Sequence, residues 1–157
     1  VVSEKMMERS KSVTNKGFYT DFQKLKKQND VNYALTTPPV SLMYALDFQL
    51  DRILKEGMAA RYRRHQEMAD IVRNWAKEKL YGIFPEEGYQ SNTIGVLNRG
   101  DLDFDAFHTK LKAQGYEISN GYGEVKEKTF RIGHMGDLTP ARVKELLSVM
   151  GDIMEEM

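Results

Sequence analysis

The spacing of apolar residues changes near residue 80, and this change constrains the fold more than any other feature of the sequence. Before it, apolar side chains recur every three or four residues in two stretches, as on one face of an α-helix, and Gly57 separates the two. The first stretch contains Leu42, Leu46, Leu50, Ile53 and Leu54, and the second contains Met58, Tyr62, His65, Ala69, Val72, Trp75 and Ala76. After residue 80, short runs rich in β-branched and aromatic residues predict strands.

The second half of the sequence predicts four short strands with helices between and after them. The strands are Tyr81–Phe84, Asn92–Leu97, Tyr116–Ser119 and Thr129–His134. A helix that ends at Gly115 precedes the third strand, and a last helix begins at Thr139-Pro140, a cap residue followed by proline at the first helical position. Helices packed on one face of a small sheet would bury all of the apolar stripes. The predicted fold class is therefore α+β, with a small antiparallel sheet covered by helices on one face.

Charge and composition exclude several classes of protein. Lysine and arginine together number 23, as do aspartate and glutamate, so no net field attracts nucleic acid or an anionic membrane. The absence of cysteine excludes a disulfide scaffold, a thiolate metal site and a cysteine nucleophile. No apolar run is long enough for a membrane span, no secretory signal is recognisable, and no histidines or carboxylates have metal-ligand spacing. We therefore expect a cytoplasmic protein that binds no nucleic acid, membrane or metal.

The segment Thr129–Gly136 contains the most informative candidate for a functional residue, Arg131. Phe130 and Ile132 alternate with this arginine, so a strand would send the two apolar side chains to one face and the guanidinium to the other. A guanidinium held in this way can bind a carboxylate through two parallel hydrogen bonds. These residues alone fit equally well an edge strand whose arginine makes a structural ion pair.

A second candidate site lies in the segment that begins at Tyr33. The hydroxyls of Tyr33 and Thr36 are three residues apart in a stretch that Pro38 and Pro39 keep extended, so both could hydrogen-bond to one phosphate. The alternative is an ordinary entry into a helix, with Thr36 or Thr37 as the capping residue.

Other charged and glycine-rich stretches predict structural roles. Arg61, Arg63, Arg64 and His65 form a basic cluster typical of a solvated helix face, offset by Glu56 and Glu67. His65 also lies on the apolar stripe, which favours a half-buried histidine with its hydrogen bonds satisfied, and His108 is expected on a helix surface. Asp47, Asp51 and Arg52 have the spacing of surface ion pairs. Gly121-Tyr122-Gly123 is only a weak match to a phosphate-binding loop.

Three segments, taken together and in this order, resemble the carboxy-terminal part of the class V aminotransferases. They are Tyr33–Leu46 (YALTTPPVSLMYAL), Glu56–His65 (EGMAARYRRH) and Ile118–Gly136 (ISNGYGEVKEKTFRIGHMG). The resemblance is to the alanine–glyoxylate and serine–pyruvate aminotransferase branch. These are homodimeric pyridoxal 5'-phosphate enzymes of fold type I with active sites at the subunit interface. The resemblance implies that residues 1–32 are the end of a large domain with a linker, and residues 33–157 the carboxy-terminal small domain.

The resemblance also implies roles for individual residues. Arg131 matches the arginine that binds the substrate α-carboxylate, whereas Tyr33 and Thr36 match residues that reach across the dimer to the phosphate of the neighbouring subunit's cofactor. His134 follows Arg131 closely and could lie near the site, with no role assigned. The lysine that forms the Schiff base with the cofactor is expected upstream of Val1, so this chain is predicted to contain no catalytic residue and to bind no pyridoxal phosphate alone.

The expected function is that of a truncated transaminase. The full-length parent would move an amino group between a small amino acid, of the alanine or serine type, and a 2-oxo acid such as glyoxylate or pyruvate, and the isolated chain would be inactive. Related branches of the family carry out desulfuration or other lyase chemistry on the same scaffold. Two other hypotheses remain open: a non-catalytic α+β module that binds a carboxylate metabolite through Arg131, and a dimerisation domain.

Overall fold

A computed structural model describes residues 2–79 and 81–157, and this part of the chain forms six α-helices and three β-strands. In chain order the elements are α1 (Glu4–Ser12), α2 (Phe22–Asn29), α3 (Val40–Glu56), α4 (Met58–Glu78), β1 (Ile94–Asn98), α5 (Phe104–Ala113), β2 (Ser119–Asn120), β3 (Thr129–Gly133) and α6 (Pro140–Glu155). A 3-10 turn at Gly123–Val125 lies between β2 and β3. The chain divides into two compact units, Val1–Asp51 and Arg52–Met157.

The helix ends lie where the sequence places them. Gly57 separates α3 from α4 with a φ of 83°, a left-handed conformation that glycine adopts without strain. Gly115, also with a φ of 83°, follows the end of α5. The Thr139 hydroxyl accepts a hydrogen bond of 3.4 Å from the Arg142 amide, and Pro140 is the first residue of α6. The predicted boundaries at these positions are confirmed.

The sheet in the second unit is antiparallel, with β3 between β1 and β2. Leu97 of β1 pairs with Phe130 of β3, and Arg131 of β3 pairs with Val96 on one side and Ser119 on the other. Two of the predicted strands differ from the structure. The residues from Tyr116 to Ile118 are not paired, because the Tyr116 amide donates instead to Leu111 at the end of α5, at 3.2 Å, and pairing begins only at Ser119.

The predicted strand Tyr81–Phe84 is reduced to a single bridge between Ile83 and Leu97. Two hydrogen bonds flank the bridge: the Asn98 amide donates to the Gly82 carbonyl at 2.7 Å, and the Phe84 amide donates to the Val96 carbonyl at 3.0 Å. Pro85 follows directly and has no N–H group to donate, so the pairing ends there.

The hydrophobic core lies between one face of the sheet and the helices α4, α5 and α6. Leu97, Phe130 and Ile132 point into it and are almost fully buried. The helices contribute Met68, Val72, Ala76, Phe104, Phe107, Leu111, Val143, Leu147, Met150 and Ile153. The α+β fold with helices on one face of a small antiparallel sheet is therefore confirmed, and it leaves the other face of the sheet available for Arg131.

The apolar stripe of α3 is not buried, contrary to the prediction that all the stripes pack on the sheet. No residue of α3 is buried; Leu42 is 67% exposed and Leu54 is 71% exposed. The α4–α6 layer fills the core without α3, and apolar residues occur around most of this helix, including Met43, Tyr44 and Phe48. A broad apolar helix surface of this kind is ordinarily covered. Within residues 2–79 and 81–157, no helix has the length and apolar character needed to cross a membrane.

Candidate functional site

Arg131 lies in the middle of the central strand and points away from the core. Its neighbours Phe130 and Ile132 are completely buried on the helix-covered face, so the alternation predicted from the sequence is confirmed. The Arg131 Nε donates a hydrogen bond of 2.8 Å to the carbonyl of Asn120 in β2. The central carbon of the guanidinium lies 6.0 Å from the centre of the Tyr122 ring. One edge of the guanidinium is therefore fixed by the backbone of the neighbouring strand.

Arg131 makes no salt bridge with a carboxylate of residues 2–79 or 81–157. Other arginines of the second unit do form such pairs; Arg64, for example, lies 2.7 Å from Glu56. The structural ion pair considered from the sequence is thus not formed within the described chain. Because Nε is already bonded, the two Nη groups are the donors left to bind an incoming anion, and parallel donors of this kind match the geometry of a carboxylate.

The loop from Gly121 to Lys128, which precedes the strand of Arg131, packs closely on itself and on Thr129. A Cβ atom on Gly121 would lie 2.4 Å from the Val125 carbonyl oxygen and 2.5 Å from the Thr129 hydroxyl oxygen. Cβ atoms in proteins do not approach non-bonded heavy atoms this closely. The Thr129 hydroxyl donates to the same carbonyl at 2.9 Å, and the Gly121 amide donates to the Thr129 carbonyl at 2.9 Å. Close backbone packing therefore requires a glycine at position 121, and no phosphate-binding role is needed to explain it.

Tyr33 and Thr36 share one exposed segment between α2 and α3, in the first unit, whereas Arg131 belongs to the second unit. Tyr33 is 65% exposed, and neither hydroxyl has a hydrogen-bond partner in the part of the chain that the structure describes. The capping alternative is wrong, because α3 begins at Val40 and its first carbonyl acceptor is Pro39, which the Met43 amide reaches at 3.0 Å. Both hydroxyls are left as donors for a ligand.

A network of ion pairs that the sequence analysis missed surrounds Glu56. The Arg64 guanidinium donates to both carboxylate oxygens, at 2.7 Å and 3.0 Å, and Arg61 donates at 2.9 Å. The hydrogen bond from Arg64 is the main reason that the pKa of Glu56 is lowered to about 2. The side chains of Arg61 and Arg64 are 14% and 19% exposed, so the prediction of a solvated basic face is wrong for these two residues.

The same network binds the turn that follows β3. Arg64 donates to the Gly136 carbonyl at 3.1 Å and also to the Leu138 carbonyl. Asp137 lies 2.8 Å from Arg52 and 3.8 Å from Arg61. Arg52 therefore forms a surface ion pair with Asp137, and the prediction that its partner is Asp47 or Asp51 is wrong. The sequence analysis did not identify Asp137 as a partner, because this residue is far from α3 in the sequence although the two are close in the fold.

His134 faces the core and not the Arg131 site. It is 1% exposed, it lines a small cavity with Val72, Arg73 and Gly95, and its Nδ1 has no hydrogen-bond partner among the described residues. Burial is the main cause of a lowered pKa, which favours the neutral imidazole. Residues an odd number apart on a strand point to opposite faces, and this explains why His134 is not beside Arg131.

The other two histidines serve packing. His65 is buried and its Nδ1 lies 2.7 Å from the Arg61 carbonyl, as predicted for a satisfied histidine. His108 is half-buried instead of lying on the surface, since its ring stacks on Phe104 with centres 5.4 Å apart. Within residues 2–79 and 81–157, no group of three histidine, cysteine or acidic side chains is arranged to hold a metal ion.

The fold and the Arg131 site define a small α+β domain with an arginine on the face of the sheet away from the helices, fixed at Nε and without a carboxylate partner among the described residues.

No family model matches the chain. It is 33% identical over 139 residues to an uncharacterised aminotransferase of Methanocaldococcus jannaschii, covering 86% of this chain and 36% of that protein. It is 32% identical over 141 residues to a serine–glyoxylate aminotransferase of Methylorubrum extorquens, covering 86% and 33%. A protein named as the small subunit of a soluble hydrogenase in a Synechococcus strain is 26% identical over 157 residues, covering 99% and 41%.

A solved structure of alanine–glyoxylate aminotransferase from a Nostoc species matches with a TM-score of 0.85 and 25% identity, covering 97% of this chain and 42% of that one. The chain is a homologue of the class V aminotransferases of the alanine–glyoxylate and serine–glyoxylate branch. It spans between 33% and 41% of the length of the three curated relatives named above.

Proposed function

We propose that this chain is the carboxy-terminal small domain of a pyridoxal-phosphate-dependent transaminase. The parent would move an amino group between a small amino acid, of the alanine or serine type, and a 2-oxo acid such as glyoxylate or pyruvate. The observation that carries the proposal is Arg131, whose Nε is fixed to Asn120 while no carboxylate of the described chain pairs with its guanidinium. The aminotransferase homologues supply the chemical context.

In the parent enzyme, Arg131 would bind the α-carboxylate of the amino acid. Two parallel hydrogen bonds fix both the position and the plane of a carboxylate, so they also set the direction of the Cα–H bond. Bound pyridoxal phosphate would supply an electron sink for the negative charge that loss of this proton leaves on Cα. The protein's part at this residue is orientation and charge pairing, since an arginine stays protonated and does not accept the proton.

Tyr33 and Thr36 would donate hydrogen bonds to the cofactor phosphate held by a neighbouring subunit. Their hydroxyls fit this role because both lie in an exposed segment and have no partner in the described chain. The described lysines are poorly suited to form the Schiff base with the cofactor. No described lysine is buried, and the pKa of Lys79 is raised by its hydrogen bond to Glu155, the opposite of what a nucleophilic amine needs. We therefore place the reactive lysine outside this chain, and we expect the chain alone to be inactive.

The proposed assembly is a homodimer, with residues 1–32 completing a large domain and residues 33–157 forming the small domain. The apolar surface of α3 supports the idea that this chain is covered by further protein. Large side chains such as Leu42, Tyr44 and Phe48 are more than half exposed along this helix, which is costly for a domain that functions alone.

The test is amino-group transfer by the full-length parent. The purified protein would be mixed with serine or alanine and with glyoxylate or pyruvate, and the new amino acid would be quantified. We expect turnover with at least one of these pairs, and none from this chain alone supplied with pyridoxal phosphate. Desulfuration or elimination without any transfer would assign the parent to a lyase branch. Carboxylate binding with no turnover would favour a metabolite-binding module.

A further inference from the structure

Tyr122 is the aromatic residue beside Arg131, and the proposed function gives it no role. Its side chain is 81% exposed, although the guanidinium carbon of Arg131 lies 6.0 Å from the centre of its ring. This distance is at the outer limit of an interaction between a cation and an aromatic face. An exposed tyrosine alone needs no explanation, but an aromatic ring next to an arginine that lacks a carboxylate partner does.

The backbone on both sides of Tyr122 is firmly held. Before it, the Gly121 amide donates to the Thr129 carbonyl at 2.9 Å, and the packing around Gly121 leaves no room for a side chain. After it, the Tyr122 carbonyl accepts from the Val125 amide at 3.3 Å in the 3-10 turn. The ring is therefore presented from a fixed point next to the strand that carries the Asn120 carbonyl.

We propose that Tyr122 is a positioning residue for Arg131 and thereby strengthens carboxylate binding at this site. The proposal rests on the proposed function in one respect, namely that the ligand of Arg131 is a carboxylate. The Asn120 carbonyl fixes the Nε edge of the guanidinium, and the ring of Tyr122 flanks the planar group. Together they limit rotation of the group and keep the two Nη donors directed outward.

The physical reason is preorganisation. A free arginine side chain must give up rotational freedom to make two parallel hydrogen bonds, and this cost lowers affinity. A neighbouring ring that already restricts the side chain before the anion binds reduces this loss of rotational freedom on binding. For an exposed pair of this kind we expect removal of the ring to weaken carboxylate binding about two- to fivefold. Phenylalanine provides the same aromatic face, so it should retain the effect.

The experiment uses this chain with acetate as the probe. Nuclear magnetic resonance of the ¹⁵N-labelled guanidinium would follow the Arg131 Nε–H signal during an acetate titration, and would also measure the rate of rotation about the Nε–Cζ bond. Tyr122→Ala should weaken acetate binding two- to fivefold and speed the rotation, whereas Tyr122→Phe should match the parent in both. Tyr89→Ala is the matched control. Tyr89 is 82% exposed, and it follows the segment bridged to β1, at the edge of the sheet opposite β2.

Two results would overturn the proposal. An unchanged rotation rate in Tyr122→Ala would show that the ring does not restrain the guanidinium. Equal losses in Tyr122→Phe and Tyr122→Ala would make the hydroxyl, and not the ring, the functional group. An Arg131→Ala arm, in which acetate binding is followed by the ¹⁵N-labelled backbone amide of Tyr122 in both proteins, separates the two hypotheses. If this variant binds acetate as well as the parent does, or if the parent does not bind acetate, the carboxylate assignment of Arg131 fails. The rotation rate in the parent and in Tyr122→Ala still decides the role of Tyr122.

Discussion

Arg64 holds both carboxylate oxygens of Glu56, at 2.7 Å and 3.0 Å, and the same guanidinium donates to the carbonyl of Gly136 at 3.1 Å. The end of α3, the first turns of α4 and the turn after β3 are thus joined by one planar side chain. The turn belongs to the segment that contains Arg131, so a pair on the helices also supports the strand that carries the candidate site.

Glu56→Gln should destabilise the second unit at neutral pH and alter its response to acid. The pKa of Glu56 is about 2 in the fold against an ordinary value of 4.5, mainly because Arg64 donates to it. A depressed pKa means that the stabilising contribution is fully present above about 4.5 and is lost as the pH falls toward about 2. Urea midpoints at pH 7, 5 and 3 should therefore differ between the parent and the variant most at pH 7 and least at pH 3.

Glu67→Gln provides the control for this comparison, because Glu67 is an exposed residue of α4 with no salt bridge in the described chain. Its urea midpoints should follow those of the parent at all three pH values. A Glu56→Gln variant that tracks the parent in the same way would show that the pair does not contribute to stability.

Gly121→Ala should destabilise the protein and disturb the Arg131 site at the same time. The added methyl group would meet the Val125 carbonyl at 2.4 Å, and a backbone atom cannot move aside as the end of a flexible side chain can. Overpacking of this kind typically costs about 1–3 kcal/mol. Differential scanning calorimetry measures the loss. Gly133→Ala, at the end of β3, is the matched control, because its new methyl group meets nothing within 4 Å. It should change stability by less than about 0.5 kcal/mol. Equal melting temperatures for the two variants would refute the close-packing explanation.

The sequence predicted the local structure of this protein better than its long-range contacts. The alternation around Arg131 and the caps at Gly57 and Thr139 depend on neighbouring residues, so the pattern contains the needed information. Helical periodicity likewise predicted α3 as a helix, but it cannot say which partner covers the apolar face, and the α4–α6 layer fills the core without it.

The ion pairs show the same limit at the candidate site. Arg61 and Arg64 have the spacing of a solvated basic face with Glu56 nearby in the sequence. Only the fold reveals that both arginines pair directly with Glu56 and that Asp137 also lies near Arg61. The sequence likewise could not decide whether Arg131 forms a structural ion pair, because a carboxylate that is distant in the sequence leaves no local pattern. The alternation of Phe130 and Ile132 around Arg131 made it a candidate, and the resemblance to a family implied its role. Only the structure gave the geometry of its guanidinium.

Replacing the hydroxyls of Tyr33 and Thr36 should weaken cofactor retention in the full-length parent without impairing folding. Each hydrogen bond to a charged phosphate is worth on the order of 1.5–3 kcal/mol, whereas in this chain the hydroxyls have no described partner to lose. Tyr33→Phe and Thr36→Val are the nearly isosteric changes. Equilibrium dialysis of pyridoxal phosphate would give the affinity, and thermal unfolding of this chain would give the stability.

The action across the dimer can be tested by mixing subunits. A Tyr33→Phe subunit combined with a subunit that lacks the reactive lysine should form one intact hybrid site, and part of the activity should return. Parental cofactor affinity in the Tyr33→Phe, Thr36→Val double variant would rule out the assignment of these two residues.

Arg131→Ala should abolish most of the parent's catalytic efficiency while leaving the fold almost unchanged. Truncating one partner of a bidentate guanidinium–carboxylate pair costs on the order of 2–5 kcal/mol. This corresponds to roughly a thirtyfold to several-thousandfold fall in kcat/KM. Arg131→Lys should also be poor, because an ammonium is a point charge that cannot reproduce two parallel donors. Stability should change little, since Arg131 has no carboxylate partner in the described chain and loses mainly the 2.8 Å hydrogen bond to Asn120. Half-transamination kinetics and melting temperature, measured side by side, separate substrate binding from a structural role. A well-folded Arg131→Ala enzyme with parental kinetics would show that this arginine does not bind the substrate. A large drop in melting temperature with little change in the kinetics would show that the arginine stabilises the fold.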